Sequence, residues 1–396
     1  MIRPGIAAMG LVTPIGAGKA EVAAALFAGT RAGLVPRDDL VPGRTVLSGA
    51  VPVPPPGSEP GAEPRNNRLM RLALDQIGEE VEQAARRFGR DRIAVVVGTS
   101  TAGIAEGEEA FLVHRRTGSW PAGFHYRHQE TGGLGDFVAR TLGVEGPAYT
   151  VATACSSSGK VFASARRLLA AGLCDAVVVG GADTLCRMTL GGFASLEAVS
   201  AGLCQPFSRN RDGINIGEAA AVFLLTRDPA PVTLLGIGEG SDAHHISAPD
   251  PEGKGALAAM RAALDDAGLQ ASAIGYVNLH GTGTSLNDSM EAKAVNALFG
   301  PDTPCSSTKA MTGHTLGAAG ACEAAFLWLT LHPDTNPDRL LPPHLWDGAA
   351  DPALPPLALT RPGDRLAGKE DRVAMLSNSF AFGGSNVALI LGIDRG

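Results

Sequence analysis

Two hydrophobic patterns alternate along the chain. One is a short, nearly continuous run of β-branched residues closed by glycine, as in Arg92–Thr99 (RIAVVVGT) and Asp175–Gly181 (DAVVVGG). Such runs predict parallel strands covered on both faces. The other spaces its apolar residues at helical intervals, as in Val161–Leu169, and stops at Gly172. Further strands are predicted at the N-terminus before a Thr13–Gly16 turn, at Glu218–Thr226, Val232–Gly238 and Ile274–His280, and in a closing hairpin, Arg372–Leu376 with Val387–Leu391. Helices are predicted at Lys19–Phe27, Arg68–Phe88, Gly255–Ala267, Asp288–Phe299 and Leu316–Leu331. Cys305–Thr308 reads as a short strand or turn. The proline-rich Val35–Pro64 reads as a surface excursion, His114–Gly132 as an irregular cap and Pro206–Gly217 as a polar loop. Around Pro229–Pro231 the strand-and-helix pattern starts again. The chain is therefore expected to be an α/β protein with two duplicated βαβ-containing halves, residues 1–230 and 231–396, and a site between them.

Composition narrows the setting. The 396 residues are 45% hydrophobic and 18% charged, which suits a large core and excludes disorder. A formal charge of −7 argues against bulk nucleic-acid binding. No apolar run approaches the ~20 residues that span a bilayer, so no membrane span is expected. The six cysteines form no CxxC pair and no signal-peptide core follows Met1, so a reducing, cytoplasmic setting is expected.

One of those cysteines stands apart. In Tyr149–Lys160 (YTVATACSSSGK), strand formers give way to a helical pattern, which places Cys155 on a strand-to-helix turn. There the helix dipole favours thiolate, and first-turn amides can receive an oxyanion. A lone cysteine among alanines is more often a small buried hydrophobe, so the other polar residues must decide. The second half delivers three motifs at strand ends or helix starts: His280 in HGTGT, Lys309 and His314 in KAMTGH, and Phe382 in FAFGGSN. No pair of histidines or cysteines has metal-ligand spacing, and no metal site is expected.

Together TACSS, HGTGT with Asp288, KAMTGHTLGAAGACE and SFAFGGSN make the chain similar, over nearly its whole length, to the β-ketoacyl-acyl-carrier-protein synthases of the thiolase superfamily. The likeness is to the elongating type with a Cys-His-His triad. The resemblance implies a thiolase-like fold of stacked helix and sheet layers and a decarboxylative condensation of an acyl group on Cys155 with malonyl-acyl carrier protein. It implies that the backbones of Cys155 and Phe382 form an oxyanion hole, and that His280 and His314 stabilise an enolate. Lys309 and Glu323, 14 residues apart, would form a charged pair, and Thr282 and Thr284 would bind phosphopantetheine. Phe382 would also act as a gate. No cofactor is implied, because the substrates carry their own phosphopantetheine.

Two alternatives share this fold. A thiolase acting on acyl-CoA should have a second cysteine where Ser379-Phe-Ala-Phe-Gly-Gly stands, and a non-catalytic chain-length factor should lack the nucleophile. A starter-type synthase should have asparagine in place of His314. TACSSSGKVF and RDGINIGEAA look most like synthases of aryl polyene and related polyketide clusters. The first strand lacks the family's TGxG run, and Ala381 replaces a glycine before the gate, which could stiffen it. The expected partners are an acyl carrier protein, docking at Arg65 and Arg68 with Arg71 on the same helical side, and a second subunit paired along Val151 and Ala152. That subunit is another copy or a chain-length-factor-like homologue.

Overall fold

The computed structural model describes residues 2–52, 63–367 and 372–394. The first half supplies strands β1 (Gly5–Thr13), β2 (Ile93–Gly98), β3 (Ala148–Val151), β4 (Ala176–Asp183) and β5 (Ala219–Thr226). The second supplies β6 (Thr233–Ser241), β7 (Ile274–Asn278), β8 (Pro304–Ser306), β9 (Arg372–Phe380) and β10 (Ser385–Asp394). Their spatial orders are β1-β5-β4-β2-β3 and β6-β10-β9-β7-β8, so the halves repeat one topology. In each, the fourth strand of that order is parallel to both neighbours and the remaining pairs are antiparallel. The two blocks join through a single register pair, Gly5 with Thr233.

The crossover from β3 to β4 is the helix Ser157–Ala170, and that from β8 to β9 is the helix Ala319–Leu331. These two helices lie against each other between the blocks, inside one continuous core that includes Phe162, Phe223, Phe326 and Leu389. Their contact is backbone to backbone: a Cβ on Gly320 would sit 2.5 Å from the Gly159 nitrogen. Only glycine permits that approach. Helices Arg65–Leu74 and Gly133–Leu142 cover the outer face of the first block, with a core of their own. Helices Lys254–Ala267 and Ser285–Phe299 cover the second. The result is the expected stack of helix and sheet layers.

Several local expectations are corrected. The expected surface excursion Val35–Pro64 contains a hairpin, Leu34–Val41 with Arg44–Gly49, whose second strand pairs with Ile216–Gly217 at the end of the expected polar loop. Alternate burial of Val46 and Ser48 against the domain outweighs the low strand propensity of the prolines nearby. Residues 53–62, including the Pro54–Pro56 run, lie outside the described residues. The expected helix Arg68–Phe88 is two helices, Arg65–Leu74 and Gly78–Phe88, broken where Gln76 turns its amide onto the Leu11 and Leu72 carbonyls. The irregular cap is confined to residues 118–132, because Ile104–Thr117 is helical. No helix among the described residues is long and apolar enough to cross a membrane.

Candidate active site

The two repeated crossovers bring their chemistry face to face. Cys155 lies two residues before its helix, after Ala154 at φ 51°, a left-handed value that turns the chain sharply from strand to helix. His314 lies two residues before Leu316, where a short 3₁₀ turn (Leu316–Ala318) leads into the helix Ala319–Leu331. His314 Nε2 sits 3.0 Å from Cys155 Sγ, and both side chains are buried. His280, just past the end of β7, stands edge-on to His314 with ring centres 5.2 Å apart. Lys309 Nζ lies 3.4 Å from His280 Nδ1 and forms a buried ion pair with Glu323. A lysine has only protons to give, so Nδ1 accepts and the Nε2 of His280 carries the ring's proton.

Electrostatics set the resting state. Burial holds His280 well below the usual histidine range, and the Lys309 charge and the neighbouring His314 lower it further. Burial, then Lys309, does the same to His314. Both rings are neutral near pH 7. Burial also pushes the Cys155 thiol up to about 12, although Lys309 pulls the other way. Desolvation of a sulfur anion thus opposes the thiolate that the first helical turn and Lys309 favour. The resting pair is a neutral thiol beside a neutral imidazole that can take its proton. Burial raises Glu323 as well, opposed by Lys309.

The triad lies at the wall of a cavity of about 370 Å³. Thr282 and Thr284 line it with their hydroxyls 3.0 Å apart, and Phe382 stands half-exposed over it with its ring 5.5 Å from Phe193. Gly383 and Gly384, at φ 80° and 73°, carry the chain past Phe382. Ala381, at φ −106°, takes an extended conformation that a Cβ does not strain.

The docking arginines separate. Arg65 is partly buried, and its guanidinium grips the buried Glu218, Nη2 to Oε1 at 2.6 Å and Nε to Oε2 at 2.9 Å. Arg68 is half-buried one turn on, and the exposed Arg71 pairs with Asp75.

Family profiles match most of this chain: "Beta-ketoacyl synthase, N-terminal domain" over residues 5–230 and "Beta-ketoacyl synthase, C-terminal domain" over residues 232–341. The chain belongs to the beta-ketoacyl synthase family. Among curated proteins it is 37% identical over 267 residues to 3-oxoacyl-[acyl-carrier-protein] synthase 2 of Rhizobium meliloti (strain 1021), covering 63% of this chain and 61% of the relative. It is 33% identical over 270 residues to the synthase of the same name from Staphylococcus aureus, covering 64% and 65%. The matched stretch thus spans less than two thirds of these relatives. Among solved structures, it matches a chain of the complex of the ketosynthase ApeO with its chain length factor ApeC from Xenorhabdus doucetiae, with TM-score 0.91 and 46% identity over 99% of this chain and 98% of that one. A beta-ketoacyl synthase from Burkholderia phymatum STM815 matches over the full length of both chains, with TM-score 0.86 and 29% identity.

Other residues shape this family site that sequence reasoning passed over. Glu291 accepts the His280 and Gly281 amides at 2.7 Å each, which fixes the backbone from which His280 projects. It lies three residues after Asp288, which accepts the Thr282, Gly283 and Phe207 amides. That i, i+3 spacing on one helix face was the available signal. Asp183, at the end of β4, collects Thr99, Ser100 and Thr101 at the end of β2 and the amide of Gly317 beyond His314. The Asn215 carbonyl accepts the His314 amide at 2.6 Å, so the unforeseen hairpin and the Ile216–Gly217 strand brace the histidine. No sequence pattern announced these two links.

Proposed function

We propose that this protein is a β-ketoacyl-acyl-carrier-protein synthase that condenses an acyl group on Cys155 with malonyl-acyl carrier protein. The observation that carries the reading is the buried Cys155–His314 pair at 3.0 Å with His280 edge-on beside it. A thiol alone could serve many acyl transfers. A thiol facing two neutral imidazoles has what a decarboxylative condensation needs.

In the first step the thiol attacks the acyl thioester while His314 Nε2 takes its proton, and the proton passes to the departing pantetheine thiolate. The tetrahedral oxyanion is held by the backbone amides of Cys155 and Phe382. Malonyl-carrier protein then occupies the cavity with its pantetheine against Thr282 and Thr284. Loss of carbon dioxide leaves an enolate whose oxygen takes a hydrogen bond from the Nε2–H of His280 and one from His314 once that ring's proton has moved from Nδ1 to Nε2. The enolate carbon attacks the acyl-Cys155 carbonyl, the C–S bond breaks, and the released Cys155 thiolate regains a proton from solvent. Lys309, held by Glu323, keeps the Nδ1 of His280 occupied as an acceptor, so its Nε2–H faces the enolate. The chemistry is supplied by side chains and amides, and we propose that no metal or resident cofactor takes part.

The pathway and partners follow as part of the same proposal. The 46% identity to a chain of the ApeO–ApeC complex, with TACSSSGKVF and RDGINIGEAA, supports an aryl polyene or related polyketide branch. β3 is the outer strand of its block, and Tyr149 on it is 38% exposed, so a second subunit can extend the sheet there. We assign that place to a second copy or a chain-length-factor-like homologue. Carrier docking is assigned to the surface around Arg68, and the setting to the cytoplasm.

The deciding experiment is intact-mass spectrometry after mixing with acyl-carrier protein, followed by malonyl-carrier protein. An acyl adduct mapped to Cys155 that is consumed with release of β-ketoacyl-carrier protein is expected. Absence of the adduct, with a carrier substrate of any chain length, overturns the proposal.

A further inference from the structure

The oxyanion hole proposed above is split between two distant parts of the chain, and its two amides must stay a fixed distance apart to receive one oxygen. The Cys155 amide belongs to the turn into the Ser157 helix, whereas the Phe382 amide belongs to the turn between β9 and β10. The Phe382 turn carries two left-handed glycines in succession and is held by backbone bonds of the Gly384 amide to the Ala381 carbonyl and of the Gly383 amide to the Ile246 carbonyl, none of which reaches the Cys155 turn. One side-chain contact ties the two turns directly. Ser156, next to the nucleophile and fully buried, has its Oγ 3.1 Å from the Oγ of Ser385. Ser385 in turn accepts the Ala381 amide on its carbonyl at 2.9 Å, which closes the Phe382 turn upon it.

The Ser156 hydroxyl is the donor in this contact, and its one proton has three acceptors within reach: the Thr153 carbonyl at 2.8 Å, the Thr153 Oγ1 at 3.1 Å and the Ser385 Oγ at 3.1 Å. Ser156 thereby links the gate turn to the residues that lead into the nucleophile's turn.

We propose that Ser156 and Ser385 are positioning residues for acyl transfer: their hydrogen bond sets the spacing of the Cys155 and Phe382 amides that receive the tetrahedral oxyanion. The proposal rests on the acyltransferase reading above. It does not concern the reactivity of the thiol itself, and that separation gives the test. In acyl transfer Cys155–SH attacks RC(=O)–S–carrier, the oxyanion forms and collapses, and Cys155–S–C(=O)R and carrier–SH result. In alkylation by iodoacetamide the same sulfur displaces iodide from carbon, the thiol proton leaves to the medium, and no oxyanion forms.

Single-turnover acylation by acyl-carrier protein and alkylation by iodoacetamide are measured on the full chain for the wild type and for Ser385→Val, Ser385→Thr and Ser156→Ala. Valine is close in shape to threonine but has no hydroxyl. Ser385→Val and Ser156→Ala should slow the maximal acylation rate about ten-fold, less than the loss of a whole oxyanion donor, with the half-saturating carrier concentration and the alkylation rate unchanged. Ser385→Thr should restore acylation. The double variant Ser156→Ala/Ser385→Val should be no slower than either single one, because the two hydroxyls act as a unit. Wild-type acylation by Ser385→Val, or an equal loss in acylation and alkylation, overturns the proposal. If Ser385→Val fails to fold, Ser385→Ala replaces it under the same criteria. Failure of the wild type to be acylated at all would instead sink the functional reading.

Discussion

The two halves of this molecule share one topology and do opposite things with it. At the end of β2 in the first half, Thr99, Ser100 and Thr101 are all bound by the carboxylate of Asp183 from the end of β4. That carboxylate consumes the local donors, and the strand end is a structural lock. At the corresponding end of β7 in the second half, Glu291 from a helix takes the His280 and Gly281 backbone amides and, from β9, the Asn378 side-chain amide, which leaves the His280 ring free to line the cavity. The crossovers diverge in the same way. The first offers the thiol of Cys155 two residues before its helix, and the second the imidazole of His314 ahead of the 3₁₀ turn that leads into its own helix. A repeated topology thus brings the Cys155 thiol and the His314 imidazole together without either half holding both, and the candidate site exists only where the halves meet.

This contrast is open to direct attack. The largest effect should come from Cys155→Ala, which should abolish the acyl adduct and cut condensation by about 10⁴-fold or more, as the loss of a covalent nucleophile does. The melting profile should stay near that of the wild type, since one sulfur at a turn contributes little packing. A surviving adduct would show that the first half's turn is not the nucleophile's seat.

The histidines come next. His280→Ala and His314→Ala should each slow condensation by about 10²–10³-fold through lost enolate stabilisation. They should differ in acylation: His314→Ala should slow it because the neutral thiol loses its proton acceptor, whereas His280→Ala should leave it nearly intact. Equal acylation rates in the two variants would contradict the pairing of Cys155 with His314 alone.

A smaller effect is expected at the lock. Asp183→Ala leaves several buried donors without their acceptor and should cost about 2–4 kcal/mol of stability, read as a lower urea midpoint with unchanged slope. If activity vanished while the midpoint held, Asp183 would belong to the chemistry and the division of labour would be wrong.

The smallest expected change is with pH. Both histidines have folded pKa values held well below 6.5, so they stay neutral from pH 8 down to 6 and protonate only on the acid side of that window. The rate of malonyl-carrier decarboxylation should therefore show no step centred near 6.5. A sigmoidal fall with that midpoint would mean that at least one ring is solvated like a free histidine.

Much of this was readable in the chain. The β-branched runs ending in Gly98 and Gly181 predict strands covered on both faces, and the glycines let a helix sit close: a Cβ on Gly98 would meet the Ser158 nitrogen at 2.6 Å. The turn that carries Cys155, the strand end that carries His280 and the loop that carries His314 were each local patterns, and the Lys309–Glu323 pair was implied by the family resemblance. Tertiary structure decided what depends on distant groups. The state of the Cys155 thiol is a contest between the helix terminus, which is local, and burial, which every layer of the fold contributes to. Arg65 looked like a free surface cation because its partner, Glu218, is 153 residues away. The hairpin Leu34–Val41 with Arg44–Gly49 forms because Ile216–Gly217 offers it an edge, which no window around the prolines could reveal. Sequence determined which chemical groups are present and at what kind of turn. Only the closing of the two halves upon each other determined which of those groups are dry, which are paired and which remain free to react, because desolvation and pairing depend on neighbours that the chain brings in from elsewhere.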